Sequence, residues 1–143
     1  MKSLIFIQAR SRSSRLPNKI FREVGGVPIL RRIWDTCSAI PNATPIVAGP
    51  YEDLDLYEFC KFQGINCINP NVDENDLLSR MAWVFDRFRN GHNKLIRITA
   101  DQPLITKAII MKVIQELDNY DYVTNVSPRT FCDGFDCQGI TFR

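Results

Sequence analysis

Two kinds of segment alternate along the chain, one continuously apolar and one with periodic apolar positions. Short apolar runs rich in β-branched and aromatic residues are typical of strands buried on both faces of a parallel sheet. Such runs predict strands at 3–9, 44–49, 65–69, 94–99 and 120–125, and the tail after residue 125 ends in a candidate sixth strand.

Between these runs, apolar residues recur every three or four positions, which predicts helices. The first begins at Pro28, a residue favoured at the start of a helix, and the second ends at Gly64, a favoured C-terminal cap. Asn75 and Thr106 are predicted to cap the helices over 75–91 and 106–117. The inner face of the 75–91 helix is predicted to consist of Leu77, Leu78, Met81, Ala82, Phe85 and Phe88.

Alternation of strands and helices predicts an α/β fold built from right-handed β-α-β units, with an open, mostly parallel sheet and helices on both faces. No internal repeat, low-complexity stretch or linker interrupts the pattern, so residues 1–143 are predicted to form one domain. A ligand site in such a sheet lies at the carboxyl ends of the strands.

The overall composition is that of an ordinary globular protein, with 45% hydrophobic and 24% charged residues. No apolar run approaches the roughly 20 residues that a membrane helix needs. The first residues resemble neither a signal peptide nor a transit peptide. Five cysteines, an odd number without C-x-x-C spacing, are typical of reduced thiols in a cytoplasmic protein. A zinc site formed by Cys132, Cys137 and His92 is an alternative, against a solvated His92 at a helix end.

Positive charge is concentrated at the amino terminus, although the net charge is only +2. Residues 1–22 contain no acid and sum to +6, so the remaining 121 residues sum to −4. A small net charge argues against a general nucleic-acid binder, and the basic segment has only Phe21 nearby for stacking on bases. The alternatives are a local anion site or a solvated loop whose acidic partners come from distant segments.

The loop from Arg10 to Lys19 follows the first strand and carries guanidinium, ammonium and hydroxyl groups suited to phosphate. It matches neither the P-loop nor the dinucleotide-binding fingerprint. Asp101 follows the fourth strand directly before Gln102 and Pro103. A carboxylate at that strand end suits Mg²⁺, which would bridge it to phosphate. Capping of the next turn is the equally weighted alternative for Asp101.

The segment IQARSRSSRLPNK resembles the signature A-R-x-x-S-x-R-[LFY]-P-x-K of sugar nucleotidyltransferases that activate acidic sugars with CTP. Further segments resemble the same family in order: GG-x-P-[IL]-L at 25–30, D-x-L-x-R at 76–80, R-I-T-G-D-x-P-L-I at 97–105 and R-T-x-x-D-G-x-D at 128–136. The chain is most similar to the SpsF-type cytidylyltransferases of spore coat polysaccharide biosynthesis, within the superfamily that includes enzymes for KDO and sialic acids.

This resemblance implies a Rossmann-like fold of the nucleotide-diphospho-sugar transferase type in three layers. It also implies transfer of CMP from CTP to a sugar, with release of pyrophosphate, in surface polysaccharide biosynthesis. Nucleotide-binding residues carried over from the motifs are Ala9, Arg10, Ser13, Arg15, Lys19 and Arg80. Lys19, Arg15 and Asp101 would be catalytic, and Asp101 would bind Mg²⁺. Asp133 and Asp136 would bind the sugar.

Three positions depart from the family pattern. Arg12 stands where the family usually has a small residue, so its side chain would either obstruct phosphate or add a contact. Ala100 replaces a usual glycine, and Gln138 stands where SpsF-type proteins often carry an acid.

The family normally continues well past the segment DGFDCQGI, so the chain is expected to lack the usual C-terminal portion. The alternative to an active enzyme is therefore a truncated, non-catalytic nucleotide-binding relative that acts as a binding module. The final strand is expected to form an uncovered edge of the sheet, which favours a homodimer. No nucleic acid or membrane is expected as a partner.

Overall fold

A computed structural model describes residues 2–142 of the chain. Its strands are β1 (Lys2–Gln8), β2 (Glu23–Val24), β3 (Val27–Pro28), β4 (Ala43–Ala48), β5 (Cys67–Ile68), β6 (His92–Thr99), β7 (Tyr122–Thr124) and β8 (Gln138–Thr141). Its helices are α1 (Ile29–Ser38), α2 (Leu54–Gln63), α3 (Leu77–Phe88) and α4 (Lys107–Glu116), with a 3₁₀ turn at Lys19–Phe21.

Six of these strands form one sheet in the order β5-β4-β1-β6-β8-β7. The first four are parallel to one another, whereas β8 is antiparallel to both β6 and β7. Strands β2 and β3 form a separate antiparallel hairpin. The predicted α/β architecture with a mostly parallel sheet is thereby confirmed.

Two apolar clusters cover the faces of the sheet and make the fold three layers deep. One cluster joins Ile5 and Ile7 of β1 to the buried faces of α1, α2 and α4. The other joins Leu4 and Phe6 of the same strand to α3. Because successive side chains of a strand point to opposite faces, the apolar run of β1 supplies both clusters. Among residues 2–142, no helix is long and apolar enough to cross a membrane.

Helix α3 differs from its prediction in its cap and in its buried face. Asp76, and not Asn75, is the N-cap, because its carboxylate accepts a hydrogen bond from the Ser79 amide at 2.9 Å. Leu78 is 75% exposed, so its predicted burial was wrong. Ala82 is exposed as well. The stripe that faces the sheet contains Leu77, Arg80, Met81, Val84, Phe85 and Phe88. Apolarity alone misplaced this stripe because it includes a buried arginine.

Strand β8 does not form the uncovered edge that the sequence suggested. It lies between β6 and β7 and pairs with both. Gly139 in β8 packs under α4, where an added Cβ would lie 2.7 Å from Leu117 and 2.8 Å from Val113. The chain thus reverses direction between β7 and β8, and the expectation of a dimer through an exposed final strand loses its structural basis.

The zinc alternative and the solvated histidine are both wrong. Both ring nitrogens of the half-buried His92 are engaged, Nδ1 with the Phe88 carbonyl at 2.6 Å and Nε2 with the Thr44 hydroxyl at 2.9 Å. No group of three or more histidine, cysteine or acidic side chains within residues 2–142 is arranged to hold a metal. All five cysteines are unpaired. Burial raises the pKa of Cys37 and of Cys137 to about 12, as for thiols of the core.

Candidate functional site

A polar cleft of about 660 Å³ opens at the carboxyl ends of β1 and β6. The cleft exists because the face of the sheet that packs against α3 changes from apolar to polar along β1 and β6. Leu4 and Phe6 of β1 and Leu95 of β6 pack against α3. The next side chains on this face are polar, namely Gln8 of β1 with Arg97 and Thr99 of β6. The helix covers the apolar part, and Gln8 and Thr99 of the polar part line the cleft.

All nine residues predicted to form the site line this one cleft. They are Ala9, Arg10, Ser13, Arg15, Lys19, Arg80, Asp101, Asp133 and Asp136. The basic loop after β1, the turn after β6 and the 133–136 segment therefore share a cavity, as expected for strand ends of a parallel sheet. Their individual roles remain predictions.

A buried acid that the sequence analysis did not single out shapes the basic loop. The Asp53 carboxylate is 4% exposed and accepts hydrogen bonds from the backbone amide of Ser11 at 2.7 Å and from the Ser11 hydroxyl. It also caps α2 by accepting from the Leu56 amide at 3.1 Å. The Asn18 amide then closes the loop on the Ser11 carbonyl at 2.9 Å. Three donors thus satisfy this carboxylate without a cation.

Asp53 takes backbone and hydroxyl donors, and the arginines of the basic loop and the nearby Arg22 are unpaired within residues 2–142. Arg10, Arg12, Arg15 and Arg22 form no ion pair with any other residue of the 2–142 range. The arginines are exposed but have no acidic partner from a distant segment, whereas Lys19 of the same loop pairs with Asp101. Arg10 and Arg15 line the cleft. Arg12 is exposed and does not line it, so its bulk does not obstruct the cavity.

Lys19 and Asp101 bridge the two strand ends across the cleft. Lys19 Nζ lies 3.0 Å from Asp101 Oδ2. Partial burial alone would raise the pKa of Asp101, but the hydrogen bonds from Lys19 and Thr99 and the ammonium charge outweigh it and hold that pKa below its ordinary value. Asp101 is therefore ionised at neutral pH. It faces the cleft beside a cation and does not merely cap a turn.

Arg80 is a buried cation that forms no ion pair within residues 2–142. This residue of α3 is 3% exposed, and Nη2 donates to the Glu74 carbonyl at 2.7 Å. Its Nε atom is buried and has no partner among the residues of the structure. Burial lowers the pKa of Arg80 because it disfavours the charged form. An unpaired buried donor is costly, so this guanidinium fits a ligand that brings an acceptor into the cleft.

Asn125 and Arg129 hold the acidic segment 133–136, which borders the cleft, in place. Asn125, which is 8% exposed, donates to the Phe135 carbonyl at 2.7 Å and accepts from the Cys137 amide at 2.9 Å. Arg129 lies 2.8 Å from Asp136 and 3.8 Å from Asp133. This arginine offsets the charge of the two carboxylates while they border the cavity. Neither Asn125 nor Arg129 was singled out from the sequence.

Known proteins similar to this chain share its fold and sequence pattern. The profile of the cytidylyltransferase family matches residues 4–132. A 3-deoxy-manno-octulosonate cytidylyltransferase of Histophilus somni is 29% identical over 121 residues, covering 84% of this chain and 46% of the relative. A cytidylyltransferase structure from Leptospira borgpetersenii has a TM-score of 0.83 at 28% identity, covering 99% of this chain and 60% of that protein.

A structure of CMP:2-keto-3-deoxy-manno-octonic acid synthetase complexed with CTP has a TM-score of 0.77 at 21% identity, over 87% of this chain and 52% of that one. At this identity the likeness concerns the fold alone. The chain spans about half the length of the curated relatives it matches. Since the family profile covers most of its residues, the chain belongs to the cytidylyltransferase family.

Proposed function

We propose that the chain binds CTP in the cleft and transfers CMP to a sugar, with release of pyrophosphate. One observation carries the proposal: unpaired arginines and Lys19 face an ionised Asp101 across a cavity at the strand ends. Membership of the cytidylyltransferase family supports the choice of nucleotide.

The basic loop would hold the triphosphate. Arg10 and Arg15 offer planar guanidinium groups that bind phosphate oxygens in pairs, and Ser13 offers a hydroxyl. Lys19 and Arg15 would offset the negative charge that develops on the departing pyrophosphate. The loop is pre-organised by Asp53, so little ordering is needed when the nucleotide binds.

Mg²⁺ fits this cleft only together with a substrate. Asp101 is ionised, but no second acidic, histidine or cysteine cluster within residues 2–142 completes a protein-only site. Mg²⁺ is commonly bound through one or two carboxylates plus substrate phosphates. Asp101 would hold it there, and the ion would supply neutralisation of phosphate charge. Lys19, which contacts Asp101 in the structure, would then bind the phosphates instead.

The remaining lining residues would bind the nucleoside and the sugar. Arg80 would donate its unpaired Nε to an acceptor atom of the nucleoside part of CTP. Asp133 and Asp136 would accept hydrogen bonds from sugar hydroxyls. With both substrates aligned, the sugar hydroxyl attacks the α-phosphorus, and the enzyme contributes alignment and charge stabilisation. We further assign the activity to the SpsF type, in surface polysaccharide biosynthesis, on the five ordered motifs.

Pyrophosphate release tests the proposal. The chain is incubated with CTP, Mg²⁺ and a panel of acidic and neutral sugars, and pyrophosphate and CMP-sugar are measured. We expect release with at least one sugar, and loss of release in Lys19→Ala. Lys112→Ala, which removes an exposed lysine of α4, is the control and should behave as wild type. CTP binding without release for any sugar would contradict CMP transfer and leave a nucleotide-binding module.

A further inference from the structure

Two glutamines lie at the floor of the cleft. Their contacts orient the side-chain amide of one as a hydrogen-bond donor and that of the other as an acceptor. Gln8 ends β1, and its register partner in β6 is Thr99. Gln102 lies three residues beyond Thr99 and contacts its hydroxyl. Both glutamines line the cleft, and neither belongs to the set of residues discussed above for phosphate, metal or sugar.

Arg97 orients the amide of Gln8 so that its NH₂ group is left available to donate a hydrogen bond. Nε and Nη2 of Arg97 both donate to Gln8 Oε1, at 3.0 and 2.7 Å. A guanidinium has only donors, so the oxygen of Gln8 must face it and the NH₂ group must point away. That NH₂ group has no hydrogen-bond partner among residues 2–142. Arg97 also donates from Nη1 to Gln138 at 2.8 Å, and Gln138 does not line the cleft.

The contact with Thr99 fixes Gln102 as an acceptor. Gln102 Nε2 donates to Thr99 Oγ1 at 2.6 Å, so the NH₂ side of the amide faces Thr99 and its oxygen points away. The carbonyl oxygen Oε1 is left buried without any partner in the described chain, on a residue that is only 5% exposed. An unsatisfied buried acceptor of this kind calls for an explanation.

The pair of amides indicates the chemistry of its ligand. Phosphate oxygens at neutral pH are acceptors, so they leave the carbonyl of Gln102 unsatisfied. A sugar hydroxyl both donates and accepts, so hydroxyl groups satisfy the carbonyl of Gln102 and the NH₂ group of Gln8 together. Through its Nη1 hydrogen bond to Gln138, Arg97 connects Gln8 to the segment that follows Asp136. Asp136 lies on the side of the cleft proposed for the sugar.

We propose that Gln8 and Gln102 are specificity-determining residues that bind hydroxyl groups of the acceptor sugar, Gln8 as donor and Gln102 as acceptor. The assignment rests on the proposed function, because it takes the second substrate to be a sugar. A site built for hydroxyl groups rejects analogues that lack them, since its buried polar groups are then left unpaired.

The test measures sugar binding apart from turnover. Wild type and variants are titrated by calorimetry with 3-deoxy-manno-octulosonate, N-acetylneuraminate, mannose and N-acetylglucosamine, each with saturating CMP, and separately with CTP and Mg²⁺. Gln8→Glu keeps an oxygen for Arg97 but removes the donors. Gln138→Glu makes the same charge change on the same arginine outside the cleft. Gln102→Leu removes the acceptor, and Gln102→Glu retains an oxygen there.

We expect wild type to bind at least one sugar, and Gln8→Glu and Gln102→Leu to weaken that binding at least tenfold. The sugar affinity of Gln138→Glu should stay within threefold of wild type. Gln102→Glu should lose less sugar affinity than Gln102→Leu. The affinity for CTP should change equally in Gln8→Glu and Gln138→Glu, the two variants that contact Arg97. Absence of sugar binding by wild type, wild-type sugar affinity in the variants, or a loss confined to CTP or Mg²⁺ would overturn the assignment. Sugar binding without pyrophosphate release would instead remove the proposed transfer.

Discussion

The two faces of the central strands β1 and β6 end differently, and this difference creates the site. On the face covered by α1, α2 and α4, Ile5 and Ile7 of β1 and Ala9 directly after it are all buried in one apolar cluster. On the α3 face, Leu4 and Phe6 are buried but Gln8 borders the cleft. One face is therefore apolar along its whole length, which favours stability. The other face ends in polar side chains that border the cleft.

The largest expected effect lies on the fully covered face. Ile96 of β6 has no exposed surface, and Ile96→Ala should lower the free energy of unfolding by about 2–5 kcal/mol, because it leaves a cavity. Ile96→Val should cost only about 0.5–1.5 kcal/mol. Denaturant unfolding measures both. A loss for Ala no larger than for Val would show that this face is not close-packed.

Asp53→Asn should be the next most disruptive change, because the Asp53 carboxylate holds the basic loop in place through Ser11. The amide leaves one of the donors from Ser11 or Leu56 without an acceptor, at a cost of about 1–3 kcal/mol in unfolding free energy. The loosened basic loop should also bind CTP more weakly. Asp55→Asn, an exposed acid in the first turn of the same helix, should stay within about 0.5 kcal/mol. Equal effects of the two variants would refute the role of Asp53.

Asp101→Asn should alter how CTP binding depends on metal. We expect the gain in CTP affinity on adding Mg²⁺ to shrink at least tenfold, since the carboxylate for the ion is lost. Without Mg²⁺, the variant should bind CTP at least as tightly as wild type, because a negative charge opposite the phosphates is removed. Asp133→Asn, in the same cleft, should keep the metal dependence. Isothermal titration with and without Mg²⁺ checks this, and an unchanged Mg²⁺ gain in Asp101→Asn would contradict the metal assignment.

Two arginines of the same loop provide a matched pair. Arg15 lines the cleft and Arg12 does not. Arg15→Ala should weaken CTP binding about tenfold through loss of charge-assisted hydrogen bonds. Arg12→Ala should weaken it less than threefold, through screened charge alone. Titration of both variants at physiological salt decides the point, and a larger loss for Arg12 would place the phosphates outside the cleft.

The smallest effect is expected on the outer face of α3. Leu78→Ala should change the unfolding free energy by no more than about 0.5 kcal/mol, since this side chain is already 75% exposed. Met81→Ala, on the buried stripe, should cost about 2–5 kcal/mol. Thermal unfolding of both proteins is sufficient. Similar costs would restore the helix face that the sequence pattern predicted.

Sequence periodicity predicted the strands and helices because each reflects local burial, but it did not predict their order in the sheet. The position of β8 between β6 and β7 depends on pairing over distance and on Gly139 under α4. Strand β5 is also shorter than predicted, at Cys67–Ile68. For α3, a buried Arg80 on the inner stripe misled the assignment of its face.

The candidate site was predicted in part. The residues on recognisable motifs all line the cleft, since motif residues follow strand ends that a parallel sheet brings together. Asp53, Gln8 and Gln102 were missed because their importance lies in which partners they have or lack. An acid at a helix start predicts a cap, and nothing local in the sequence indicates that it also holds a loop 42 residues away.

A crystal structure of the chain with CTP and Mg²⁺ would show directly where the triphosphate binds. We expect triphosphate density between the basic loop and Asp101, with Lys19 and Arg15 on phosphate oxygens and the metal on Asp101. A nucleotide bound elsewhere, or phosphates turned away from Lys19 and Asp101, would contradict this expectation.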